Sequence, residues 1–296
     1  MWLVDKPSET WTILKVLNWT KGYLAEKGIE NARLEAEWLL SAALGLDRVG
    51  LYVNFEKPLL PSELAALRSM VSKRAKREPL QYILGSQEFM GLEFRVTPAV
   101  LIPRHDTETL VQEAVNRAGN AKRALDIGAG SGCIAVALAK LLPNAEVVAV
   151  DSSDAALDVA RENSVLNGVP VFFVSGSLFE PFSGEMFDLI VSNPPYIPRG
   201  DLAGLQPEVR DFEPMCALDG GPDGLDFYRS IIPAATEHLN PGGWLIVEVG
   251  IGQAEAVKGM LSEAGFVDLV TARDLGGIER VVGGQFALGN IEEVSP

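Results

Sequence analysis

The chain has 296 residues, 47% of them hydrophobic, and carries 40 acidic against 25 basic side chains for a net charge of −15. That length exceeds one average domain without demanding three, and its apolar share is enough for a sizeable core. The acidic balance argues against DNA as the main partner, because proteins that track nucleic-acid phosphates carry a basic footprint.

The opening residues, Met1 to Pro7, lack a basic stretch followed by an apolar one, so no secretory signal is expected. No run of about 18 apolar residues occurs, so no membrane span is expected either. From residue 8 to about 80 the spacing is helical. Ile13, Leu14, Leu17 and Leu24 share one stripe, Leu34, Trp38, Leu39 and Ala42 another, and Leu64, Leu67, Met70 and Val71 follow Pro61-Ser62-Glu63. This predicts a small helical domain over residues 1–85, with Trp19 and Trp38 as core or groove anchors and no catalytic constellation. The densest basic cluster, Lys73-Arg74-Ala75-Lys76-Arg77, reads as a solvated helix face with a favourable cationic C-terminus. Glu88 to Val96 alternates around Gly91 and reads as a hairpin, placed as a linker over residues 86–98. A helix opens near Asp106-Thr107-Glu108.

Residues 99–296 form the remaining domain, and from about 122 strands and helices alternate. Strands are predicted at 123–127, 146–150, 171–174, 188–191, 244–249, 267–272 and 280–287, with helices at 134–142, 155–167, 226–239 and 253–264. The alternation specifies an α/β fold, a doubly wound, mostly parallel seven-stranded sheet, with the last strands antiparallel across the short Gly276-Gly277 link. The tail Glu292-Glu293-Val294-Ser295-Pro296 is expected to be loose. Cys133 and Cys216 stand in unrelated contexts, as do His105 and His238. Reduced thiols are expected, and neither a disulfide framework nor a zinc site.

Two stretches carry chemistry. Gly128-Ala129-Gly130-Ser131-Gly132 lies between the first strand and its helix, where glycines permit a tight turn and let a ligand approach bare backbone. The spacing differs from the dinucleotide fingerprint, and Asp126 just before it could receive a positive ligand group. Asp151 ends the second strand, placed to accept both hydroxyls of a ribose. The second stretch is Asn193-Pro194-Pro195-Tyr196. Two prolines cannot continue a sheet, so the chain leaves the strand rigidly at its C-terminal end, the edge where ligands bind in open α/β sheets. An Asn side chain and a prolyl carbonyl beside an aromatic ring suit gripping a planar amide or amino group whose nitrogen reacts.

With these residues the chain resembles the class I S-adenosylmethionine-dependent methyltransferases, and more closely the bacterial protein-(glutamine-N5) methyltransferases that modify peptide chain release factors. The resemblance runs nearly end to end. It includes Pro79 to Gly85, Val100 to Arg104, Thr107-Glu108, Asn193 to Ile197, Glu213-Pro214, Ala217 to Gly221, Asp223 to Leu225, Pro241 to Gly243, and Glu248 to Gly250 with Gln253. It implies a Rossmann-like methyltransferase sheet and methyl transfer from S-adenosylmethionine to the glutamine of a Gly-Gly-Gln tripeptide, leaving S-adenosylhomocysteine. Gly128, Ala129, Gly130, Ser131 and Gly132 would wrap the methionine part of the cofactor, Asp151 its ribose, and Leu178 its adenine, with Asn193 close by. Asn193 and Pro194 would accept hydrogen bonds from the substrate amide, Pro195 and Tyr196 would shape the slot, and Leu101 would wall the glutamine pocket. The catalytic set so implied is Asn193, Pro194 and Tyr196, and the helical domain would recognise the substrate. A cytoplasmic monomer that binds neither nucleic acid nor membrane is expected.

The chain departs from the family pattern at Arg104-His105-Asp106, where a proline and a longer acid are common, at Ser177, where an Asp is common, and at Ala129, a frequent Thr. Competing readings are an adenine methyltransferase, disfavoured by the charge, a glutamine methyltransferase acting on a ribosomal protein, and a non-enzymatic binding module. Gly283-Gly284-Gln285 spells the target tripeptide and is read as hairpin residues.

Overall fold

Apolar residues three and four apart build the first helices, and the computed structural model describes residues 10–287 of the chain. The expectations about residues 1–7 and the tail at 292–296 lie outside the described residues. The chain divides at Gly85 into two units.

The first unit holds α1 (Ile13–Glu26), α2 (Ala32–Leu44), α3 (Arg48–Val53), α4 (Pro61–Arg74) and α5 (Leu80–Leu84). α4 opens with Pro61, whose missing N–H is no loss in a first turn, and Glu63 accepts the Leu60 N–H at 2.7 Å. Its core gathers Ile13, Val16, Leu17 and Leu24 from α1, Leu39 and Leu40 from α2, and Leu67 and Val71 from α4. Leu14, Leu34 and Trp38 are instead exposed, Trp38 by 44%, so the buried stripes run beside them. Trp19 is half-buried and stacks on Tyr23 at 4.9 Å.

The basic cluster is a solvated face only at Lys73 and Lys76. Arg74 is buried in an ion pair with Glu35, and the Arg77 guanidinium reaches the Gly28 carbonyl at 2.9 Å. An acid on α2 draws Arg74 inward, and a backbone carbonyl holds Arg77. Removing one partner of such a buried pair typically costs about 3–5 kcal/mol.

The second unit begins with a hairpin, β1 (Ser86–Phe89) and β2 (Leu92–Arg95), turned through Met90 and Gly91, both at positive φ. The hairpin is fastened within this unit. The Arg95 N–H donates to Asn163 Oδ1 at 2.7 Å, and the Met90 N–H donates to Glu108 Oε1 at 2.8 Å. Then follow α6 (Glu108–Ala118), β3 (Arg123–Ile127), α7 (Cys133–Leu141), β4 (Glu146–Asp151), α8 (Asp154–Asn167), β5 (Phe172–Ser175) and β6 (Phe187–Ser192). The remainder is α9 (Pro207–Arg210), α10 (Asp226–Ala235), β7 (Leu239–Glu248), α11 (Ala254–Glu263), β8 (Phe266–Arg273) and β9 (Glu279–Phe286).

The seven strands run β5-β4-β3-β6-β7-β9-β8, parallel from β5 to β7 and antiparallel at β9 and β8. This is the expected doubly wound sheet. Strand order reverses between β3 and β6, which opens a crevice at their C-terminal ends. Apolar residues fill both faces, Ala124, Val147, Leu189 and Val191 on one, Leu125, Val148, Ile190 and Leu245 on the other. β9 carries Gly283-Gly284-Gln285 as ordinary sheet. A Cβ at Gly284 would meet Phe266 at 2.9 Å, and Gln285 Nε2 donates to the Gly242 carbonyl at 2.9 Å. No helix among the described residues is long and apolar enough to cross a membrane.

Candidate active site

A cavity of about 210 Å³ opens at the switch point, walled by Leu101, Gly128, Gly130, Asp151, Leu178, Asn193, Pro194 and Pro195 among others. The structure thus brings together residues read separately from three strand ends. Val100, Phe227 and Ile231 add an apolar wall, and Cys216 and Ser177 also line it.

Its glycine side is a backbone construction. Gly128 and Gly130 hold φ of 80° and 53°, and a Cβ at Gly128 would have nothing within 4 Å, standing in open cavity. Such bare backbone fits the close approach of a bulky ligand. Gly132 does other work, because a Cβ there would meet Ala160 at 3.0 Å, so it lets α7 pack on α8. Ala129 and Ser131 are buried, and Ser131 offers its carbonyl to Asn163. Asp151 accepts the Gly130 N–H on Oδ2 at 2.8 Å and the Ser153 N–H on Oδ1 at 2.9 Å. Each oxygen keeps a lone pair for a ligand hydroxyl. Leu178 lies in the left-handed region at φ 50°, an uncommon conformation for a branched residue, beside the cavity.

Asp126 is fully buried. One oxygen accepts the Ala135 N–H at 3.1 Å, and Oδ1 has no hydrogen-bond partner among the described residues. Burial pushes its carboxyl up to about 7, and the charge of Asp151 adds to the push. An orphaned acid beneath a glycine turn fits a ligand that carries positive charge.

On the opposite side Asn193 is fixed by a group from far away in sequence. Its Nδ2 donates to Thr107 Oγ1 at 3.1 Å, which leaves Oδ1 available as an acceptor. Tyr196 is absent from the cavity wall. Its hydroxyl donates to Glu248 Oε1 at 3.3 Å, its ring packs against the core, and burial pushes its phenol up. The ring is drawn away because the chain behind it is pinned, with Gln253 Nε2 donating to the Tyr196 carbonyl at 2.9 Å and Gln253 Oε1 accepting the Gly250 N–H at 2.9 Å. Glu248 is itself buried, which pushes its carboxyl up to about 7 against the pull of Thr107, Arg280 and Tyr196. Glu213 accepts from the Ile102 N–H at 3.3 Å and from Arg104, stitching the Leu101 wall to the Pro214 wall.

The departures have physical outcomes. Asp106 pairs with Arg280 at 2.9 Å, which anchors the shortened acid. His105 and Ser177 are exposed. His238 stacks on Phe179 at 4.7 Å, a packing role. Thr107, Glu248, Arg280, Gln253 and Glu213 were not singled out as site residues. Four of them, Thr107, Glu213, Glu248 and Gln253, stand in the segments that carry the family resemblance, and Arg280 precedes the apolar pair Val281-Val282.

The family profile described as PrmC N-terminal domain matches residues 15–85, and that described as Methyltransferase small domain matches residues 105–203. The chain is 68% identical over 283 residues to a Geobacter sulfurreducens protein named release factor glutamine methyltransferase, covering 96% of this chain and 99% of that one. A Moorella thermoacetica protein of the same name is 46% identical over 82% of this chain and 87% of its own length. Among solved structures, the Thermus thermophilus 16S rRNA N2 G1207 methyltransferase, in complex with AdoMet and guanosine, is 20% identical, with TM-score 0.50 over 68% of this chain and 49% of that one. It supports the fold.

Proposed function

The chain belongs to the release factor glutamine methyltransferases, and from that premise we propose that its cavity transfers a methyl group from S-adenosylmethionine to the side-chain amide nitrogen (N5) of the glutamine in the Gly-Gly-Gln tripeptide of peptide chain release factors. The observation that carries this is the shared wall: Asn193, with its amide NH2 already committed, lines the same cavity as Gly128, Gly130 and Asp151. When bound, the cofactor supplies an electrophilic methyl carbon on a sulfonium.

Asp151 holds the ribose hydroxyls, Gly128 and Gly130 give backbone room to the methionine part, and Leu178 borders the adenine. An amide nitrogen is a poor nucleophile because its lone pair is delocalised into the carbonyl. Asn193 Oδ1 and the Pro194 carbonyl accept its two N–H bonds, orient it, and stabilise the positive charge that develops on it, and the methylated nitrogen then releases one of those two protons. Leu101 and Pro195 wall the slot. Tyr196 acts from behind through Glu248, so its part is positioning. The first, helical unit recognises the protein substrate. The enzyme works in the cytoplasm as a monomer, and its charge of −15 disfavours a nucleic-acid substrate.

The test is incubation with labelled methyl donor and purified release factors carrying either Gln or Ala in the tripeptide. Label on the Gln protein alone is expected. Label on both, or on neither, would overturn the substrate assignment.

A further inference from the structure

We propose that Thr107 sets which end of the Asn193 carboxamide faces the cavity, with Glu248 fixing the direction of the Thr107 hydroxyl. The inference rests on the methyl-transfer reading above and adds a positioning residue to it. A carboxamide is nearly symmetric in shape, and turned over it would present NH2 to the substrate's own NH2, donor against donor. Asn193 is held in the accepting sense by one hydrogen bond, from Nδ2 to Thr107 Oγ1 at 3.1 Å.

A hydroxyl both donates and accepts, so Thr107 alone could serve either orientation. What breaks the tie is an acceptor on its other side. The parallel register of β6 and β7 pairs Ser192 with Val247, so Asn193 and Glu248 follow side by side. Thr107, itself buried at the end of the 3-10 turn His105–Thr107, lies close enough to the Glu248 carboxylate to favour its ionised form. Glu248 Oε1 takes the Tyr196 hydroxyl, and Oε2 is a buried acceptor with no hydrogen-bond partner among the described residues. An ionised carboxylate only accepts. It therefore claims the Thr107 proton and leaves the Thr107 oxygen to receive the Asn193 NH2.

The groups facing Glu248 come from five places: Thr107 and Asp106 ahead of α6, Tyr196 after β6, Arg280 on β9, Tyr228 on α10 and Cys133 on α7. Arg280 favours the ionised carboxylate and Asp106 opposes it. Arg280 is also tied to Asp106 and Asp274, both at 2.9 Å. Below about pH 7 a protonated Glu248 becomes a donor, and the direction of the chain is released.

The experiment compares Thr107→Val, which keeps the shape and removes the hydroxyl, with Thr107→Ser and Glu248→Gln. Thr107→Val should lower kcat roughly 100-fold, the scale of losing one aligned transition-state partner. KM for the release factor and the affinity for S-adenosylhomocysteine should stay within about threefold, and Thr107→Ser should recover most of the rate. Wild-type kcat should rise with pH through about 7, and Glu248→Gln should flatten that rise. The Asn193 side-chain amide signal in ¹⁵N spectra, identified by its loss in Asn193→Asp, should move in Thr107→Val without any substrate present. A Thr107→Val protein with wild-type kcat and an unmoved amide signal overturns the positioning role. So does Thr107→Ser as slow as Thr107→Val. Wild-type protein that methylates no release factor removes the functional reading and this role together.

Discussion

Two corners of one cavity are held in different ways. Gly128 and Gly130 follow β3, Asp151 ends the adjacent β4, and the contacts that shape them are made by backbone: the Gly130 and Ser153 N–H groups grip the Asp151 carboxylate, and positive φ angles form the turn. Asn193 depends on side chains from distant segments, Thr107 ahead of α6 and, behind it, Glu248 on β7 and Arg280 on β9. A backbone corner tolerates change around it and fails when its own residues change. A side-chain corner can fail at a distance. On this account the first corner binds the methyl donor and the second governs transfer.

The largest expected effect separates the two. Asn193→Ala should lower methyl transfer by at least about 100-fold while leaving cofactor affinity within about threefold, because the lost acceptor acts mainly in the transition state. Asp151→Ala should do the reverse, weakening cofactor binding by roughly 100-fold or more through loss of two charge-assisted hydrogen bonds worth about 1.5–3 kcal/mol each. Calorimetry and single-turnover kinetics on the same preparations would show it. Equal losses of binding and rate in both variants would erase the distinction.

How much could be read in advance follows the same division. The glycine turn, Asp151 and the Asn-Pro-Pro corner were legible because each is a local signal: a strand, a breaker, a residue type at an edge. The strand and helix alternation of residues 122–287 was legible for the same reason. Inward-turned charge was not. Arg74 looks like solvated helix surface until Glu35, 39 residues earlier, is folded against it. Glu37, buried among Arg33, Arg48 and Tyr52, is equally silent in sequence. At Tyr196 an aromatic beside a ligand motif suggests a wall, whereas in the structure its hydroxyl meets Glu248 and its carbonyl accepts from Gln253.

A smaller effect sharpens the comparison through stability. Burial pushes Asp126 and Glu248, one at each corner, up to about 7. The folded chain therefore keeps protons that the unfolded chain has released, and stability is lost as pH rises from the ordinary carboxylate range through about 7. Asp126→Asn, which cannot ionise, should make the fall in melting temperature over that window shallower in cofactor-free protein. Parallel curves for variant and wild type would mean that Asp126 titrates normally.

The most direct measurement is a structure of the chain with S-adenosylhomocysteine and a release factor bound. The account expects the glutamine side-chain nitrogen within hydrogen-bond reach of both Asn193 Oδ1 and the Pro194 carbonyl, with the cofactor's ribose on Asp151 and its sulfur facing that nitrogen. A glutamine seated elsewhere, or one met by the NH2 end of Asn193, would contradict it.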